Sequence, residues 1–121
     1  FKNKKITFLG VTFKAGTDDM RESPALKLIP KLLKKGAIIN YYEPTGSKKE
    51  FISKKIMCNS NIHDACKNSE LIIIHTEWNE FKQLNFKKIS NRKNYKIYDL
   101  RNLYSPVKMK KNKINYFSIG R

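Results

Sequence analysis

The chain has 121 residues, 40% apolar and 30% charged, with 26 Lys and Arg against 10 Asp and Glu for a net charge of +16. That is enough for one domain with a single real core, and the mixture excludes both a disordered chain and two separate domains. No apolar run nears the roughly 20 residues that span a bilayer, and the opening FKNKKITFLG is too short and interrupted for a signal peptide. The first residue is Phe rather than Met, which suggests a piece of a longer protein.

Lys5–Thr12, KITFLGVT, is apolar almost throughout and reads as a strand buried on both faces. Ser23 and Pro24 predict a helix start, Ser as N-cap and Pro at the first helical position. Leu26, Ile29, Leu32 and Leu33 then recur at helical spacing up to a Gly36 stop, and Pro30 inside the run predicts a kink or break. Ala37–Tyr42 is a second strand, ended by Glu43-Pro44. Thr45–Asn59 reads as loop with a short helix or turn, and Ser60–Asn68 as a short helix. Leu71–His75 is the clearest strand of the chain, Glu80–Asn91 carries one or two short helices, and Tyr95–Leu100 and Ile114–Gly120 are further strands. Strands alternating with helices predict a Rossmann-like, doubly wound α/β domain, a mainly parallel sheet flanked by helices, over residues 1–121.

The +16 charge first suggests nucleic acid. Against that, the cations are mostly Lys spread along the whole chain. Arg, the residue that reads bases and forks onto phosphates, occurs only at 21, 92, 101 and 121. The expectation is a solvated basic surface without a nucleic-acid partner. Cys58 and Cys66, eight apart with no CxxC and no His spacing, predict reduced thiols and no metal site. His63 and His75 have no Ser or Cys partner at a nucleophile's spacing, so no catalytic residue is assigned.

In open parallel sheets, ligands bind beyond the carboxyl ends of the strands. That rule selects Phe13, Lys14, Thr17, Asp18, Asp19 and Arg21 after the first strand, Thr76 to Asn79 with Trp78 after the Leu71–His75 strand, and Asp99, Arg101 and Asn102 after Tyr95–Leu100. It places Lys14, Arg21 and Arg101 on one edge with the single Trp, as a site for an anion bearing a flat ring. The first turn holds only Gly10 and Gly16, no GxGxxG and no Walker loop, so side chains rather than backbone would hold a phosphate. Asp18 and Asp19 read as partners of Arg21 or of turn amides.

The stretches LGVTFKAGTDDMRESPAL, AIINYYEP, LIIIHTEWNEF, IYDLRNL and YFSIGR occur in this order over Lys4 to Arg121. Together they resemble the UDP-binding C-terminal domain of the UDP-glucose 6-dehydrogenases, within the UDP-glucose/GDP-mannose dehydrogenase family. UDP-N-acetyl-sugar and GDP-mannose enzymes share the looser FK…T…D…R pattern. The resemblance implies an enzyme oxidising UDP-glucose to UDP-glucuronate with NAD, whose NAD-binding and central helical domains and catalytic Cys lie ahead of this chain. It implies a cytoplasmic homodimer in which this domain alone is inactive. By position, Phe13, Lys14 and Arg101 resemble the substrate-binding residues and Arg21 the arginine that reaches NAD. Two departures stand out: Tyr42-Glu43-Pro44 replaces the usual YDP, and Asp99-Leu100-Arg101 the usual DGR. If the replaced Gly had positive φ, Leu100 would be strained and Arg101 presented differently.

Overall fold

A computed structural model of the chain describes residues 1–119. Six parallel strands form one sheet: β1 (Lys5–Leu9), β2 (Ile38–Tyr42), β3 (Ile56–Cys58), β4 (Leu71–Ile74), β5 (Lys96–Asp99) and β6 (Asn115–Ser118). Their order is β3-β2-β1-β4-β5-β6, so the chain winds outward from β1 in one direction and from β4 in the other. Three α-helices connect them, α1 (Ala25–Lys34), α2 (Ile62–Cys66) and α3 (Pro106–Lys111), with a 3₁₀ turn at Asn79–Phe81. The Rossmann-like α/β expectation is met, with every strand pair parallel.

Alternation along the strands divides the core in two. Ile6, Phe8, Ile39, Tyr41 and Ile73 face α1 and bury Ala25 and Ile29 of that helix. Leu9, Ile72, Ile74 and Ile97 face the other way, against Cys66 of α2, Met109 of α3 and the Phe81–Ile89 connection. The Glu80–Asn91 reading is corrected here, since only the 3₁₀ turn is regular. Phe81, Phe86 and Ile89 are nonetheless buried, so irregular backbone supplies the cover that a helix was expected to give.

β1 ends three residues earlier than the apolar run, because Gly10 turns to φ +80° and leaves the sheet. α1 runs unbroken through Pro30, so of the expected kink or break the break does not occur. Burial of Ala25 and Ile29, with Leu26, Leu28, Leu32 and Leu33 packed beside them, outweighs the one backbone bond that Pro30 cannot donate. The helix begins at Ala25, one residue later than read, yet the Ser23 hydroxyl still accepts the Ala25 N–H at 3.3 Å while donating to the Val11 carbonyl at 2.6 Å.

Two elements lie outside the reading of the sequence. β3 falls within the stretch read as loop, an edge strand of three residues with Met57 and Cys58 exposed and only β2 as neighbour. α3 follows Ser105-Pro106, the same start signal as Ser23-Pro24, with the Ser105 hydroxyl accepting the Lys108 N–H at 3.3 Å. The expected extension of the last strand to Gly120, like the terminal Arg121, lies outside the described residues. No helix among the described residues is long and apolar enough to cross a membrane.

Candidate functional site

β1 and β4 are neighbours where the winding of the sheet reverses, the position of the ligand crevice in open parallel sheets. The geometry there starts from Gly10. Its N–H donates to the Tyr42 carbonyl at 2.8 Å, and a Cβ on it would lie 2.5 Å from Thr76 Cβ. The loop after β1 therefore packs directly on the loop after β4, at a distance only glycine permits.

The next two residues are held by a carboxylate. Glu43, at the end of β2 and 3% exposed, accepts the Val11 N–H at 2.9 Å and the Thr12 N–H at 3.3 Å on Oε1. Its Oε2 accepts the Thr45 N–H at 3.0 Å and the Thr45 hydroxyl at 2.7 Å. The strand alternation gave no hint of this, but a carboxylate placed directly after a parallel strand was a usable signal.

A second tie crosses the crevice from β4. Thr76 Oγ1 donates to the Thr12 carbonyl at 2.9 Å, which spends its one hydrogen, so it accepts at 3.0 Å from His75 Nδ1. His75 Nε2, left without a proton, accepts the Ala25 N–H of α1 at 3.0 Å. This network fixes the tautomer and requires a neutral ring. Burial, with the Arg101 charge adding to it, lowers the His75 pKa to about 4. His75 is thus a buried histidine satisfied within the fold, and the group it satisfies is the start of α1.

Arg101 completes the constellation from β5. Its N–H donates to Asp99 Oδ1 at 3.0 Å, its Nε to the His75 carbonyl at 3.0 Å, and its Nη2 to the Phe13 carbonyl. Leu100 is not strained: in this turn the positive φ falls at Asn102, +53°, and not at Leu100. The path that presents Arg101 is set instead by fully buried Asp99, whose Oδ2 accepts the Leu103 N–H at 2.7 Å, the Tyr104 N–H at 3.0 Å and the Tyr116 hydroxyl at 2.6 Å.

The structure thus brings Phe13, Lys14 and Arg101 to one place. Phe13 is 39% exposed, and its N–H donates to the Asp19 carbonyl at 3.0 Å to close the loop. The Lys14 side chain is exposed beside it, with its charge felt at Asp19. Arg21 is tied to that loop through Asp19. It forks onto Asp19 with two contacts of 3.1 Å and borders a separate shallow groove with Met20, Leu26 and Lys49. The fork, more than any other contact, holds the Asp19 carboxyl below its ordinary range. Asp19 is therefore the partner of Arg21 that the sequence suggested. Trp78 packs half-buried in the second core. Among the described residues, no three His, Cys, Asp or Glu side chains are grouped to hold a metal ion.

This geometry can be set beside known proteins. A family model described as UDP-glucose/GDP-mannose dehydrogenase family, UDP binding domain, matches residues 7–106. The chain belongs to that family. It is similar to the UDP-glucose 6-dehydrogenase of Rickettsia prowazekii, 41% identical over 98% of this chain and 28% of the relative, and to that of Rhizobium meliloti, 37% identical over 99% and 28%. A solved UDP-D-ManNAc dehydrogenase from Pyrococcus horikoshii superposes with TM-score 0.75 at 27% identity, covering 99% of this chain and 26% of its own. The chain therefore spans little more than a quarter of the length of the relatives it matches.

Within this UDP-binding domain the crevice does not fit a dinucleotide of its own. A dinucleotide loop offers free amides at the first turn, whereas the Val11 and Thr12 amides here are taken by the Glu43 carboxylate, which would also repel a pyrophosphate. An anion can instead approach the outer lip, where Lys14 and the remaining guanidinium hydrogens of Arg101 stand.

The neutral His75 makes stability depend on pH. Its folded pKa of about 4 lies below the usual 6.5, so the unfolded chain binds a proton first as pH falls. Stability from this group is complete above pH 6.5 and is lost downward toward pH 4, by about 2 to 3 kcal/mol between pH 7 and 4.5. His75→Gln keeps an acceptor for Ala25 and removes the titration. Urea midpoints across that range should fall less steeply in the variant than in the parent.

Proposed function

We propose that this chain is the UDP-sugar-binding, C-terminal part of an NAD-dependent UDP-glucose 6-dehydrogenase that oxidises UDP-glucose to UDP-glucuronate in the cytoplasm as a homodimer. The observation that carries the reading is the meeting of Phe13, Lys14 and Arg101 at the crevice between β1 and β4, where Arg101 bridges the Phe13 and His75 carbonyls. Lys14 supplies a point charge for the diphosphate, Arg101 both fixes the loop and offers its free hydrogens, and Phe13 presents an apolar face to the sugar or base. The curated relatives named UDP-glucose 6-dehydrogenase support this sugar over the N-acetyl sugar of the Pyrococcus neighbour, since they are the more similar in sequence.

NAD, the hydride acceptor in that chemistry, would be held outside residues 1–121, with Arg21 as this chain's contact to it. Cys58 and Cys66 do not serve as the nucleophile. Burial pushes the Cys66 thiol up to about 12, so it stays protonated, and Cys58 lies on edge strand β3 away from the crevice.

The test is Lys14→Ala in the longer enzyme. Losing one charge-assisted contact should raise KM for the UDP-sugar roughly 10-fold or more while KM for NAD stays put. Unchanged kinetics would remove Lys14 from the site. Turnover of a UDP-N-acetyl sugar in preference to UDP-glucose would move the enzyme to the other branch of the family.

A further inference from the structure

The winding of the sheet leaves the β5–β6 end of one face bare. α1 covers β1 and β2 on one face, while α2, α3 and the 81–89 connection cover the opposite face. On the α1 side, nothing described lies over β5 and β6. Tyr98 and Phe117, paired across those strands, are each 44% exposed, with rings stacked at 5.0 Å and 22°. A groove of about 500 Å³ runs over this face, with Phe1 and Leu71 beside the two rings. Parallel sheets are rarely stable with an open apolar face, and what covers them in α/β proteins is helix.

The rim of the groove says which helix. Lys4, Arg92, Lys93 and Lys96 border it against the single carboxylate Glu70, which lies 4.0 Å from Lys4 and 3.6 Å from Arg92. Four cations facing one anion disfavour a second copy of this chain, because face-to-face docking would set like rims together. They favour an apolar surface with acidic flanks.

We infer that the Tyr98–Phe117 face is a docking surface for an amphipathic helix with acidic flanks, supplied by a part of the same longer polypeptide outside residues 1–121. The inference rests on the reading of this chain as one portion of a longer dehydrogenase, and the relatives have nearly three quarters of their length in which such a helix can lie. Docked there, the helix would sit on the outer strands and leave the carboxyl-edge crevice open.

Thiol labelling decides it. Phe117→Cys in a Cys58→Ser background puts one exposed thiol in the groove, because Cys66 is buried, and Tyr98→Cys is a second probe at the same place. In the 121-residue chain both should react with a maleimide at the rate of a free thiol. In the longer polypeptide labelling of the introduced cysteine, read on its own peptide, should be at least ten-fold slower, unaffected by dilution, and should recover in a Lys93→Glu, Lys96→Glu variant. Equal rates in both proteins overturn the inference, and so does protection that disappears on dilution, which would mean a second copy. UDP binding measured on the same samples keeps the two readings apart. Protection without UDP binding would sink the proposed function alone, and UDP binding without protection would sink the docking surface alone.

Discussion

Replacing Asp99 by Ala should lower the stability of the chain by about 3 to 5 kcal/mol, the range for breaking a buried polar network. The carboxylate is fully buried and accepts four hydrogen bonds, from the Arg101, Leu103 and Tyr104 amides and from the Tyr116 hydroxyl. Alanine leaves three backbone donors at the end of β5 without their acceptor. Asp99→Asn should cost less, roughly 2 kcal/mol, because one oxygen survives and its amide nitrogen must then face a donor. Both variants should also weaken UDP-sugar binding, since the Arg101 backbone loses its tether. Urea denaturation of the two variants beside the parent gives the order. An Asp99→Ala chain with the parent's midpoint would mean that the turn holds Arg101 without the carboxylate.

How much of this could be read beforehand depends on where the driving force is local. Leu71–Ile74 and Ile38–Tyr42 were legible because unbroken β-prone runs suit buried parallel strands. β3 was not, because an edge strand of three residues with one neighbour needs no apolar alternation. Ser105-Pro106 carried the same signal as Ser23-Pro24, but too few apolar residues follow it to mark a helical face. In the Phe81–Ile89 connection apolar spacing reported burial faithfully and misreported the backbone, which packs without being helical. At the site, the edge that gathers Lys14 and Arg101 followed from the topology rule alone. That rule put Arg21 on the same edge; its short-range fork with Asp19, which occupies the guanidinium, came instead from reading the neighbouring carboxylates as its partners. A carboxylate directly after a parallel strand marks Glu43 itself, but its pairing with amides 31 and 32 residues earlier in the chain is a tertiary fact that no local pattern names.

Glu43 is where fold and proposed function meet, and Glu43→Gln should cost about 2 to 4 kcal/mol, as for a buried charge-assisted network cut on one side. Both oxygens of the carboxylate are spent on donors: Val11 and Thr12 amides on one side, Thr45 amide and hydroxyl on the other. Glutamine offers one acceptor and must turn its NH₂ toward the other pair, so either the loop after β1 or the turn after β2 loses its anchor. Glu43→Asp keeps the charge and both acceptors on a stem shorter by one methylene, and should be milder, about 1 kcal/mol. Equilibrium unfolding should therefore rank the variants parent, Asp, Gln in falling stability. Amide exchange at Val11 and Thr12 should speed up in Glu43→Gln if the loop is the side released. Because Phe13 and Lys14 follow directly, the same variant should also raise KM for the UDP-sugar in the longer enzyme. A Glu43→Gln chain as stable as its parent, with those amides still protected, would mean that the carboxylate is not what holds them, and the crevice would then be open to an anion at its base rather than only at its lip.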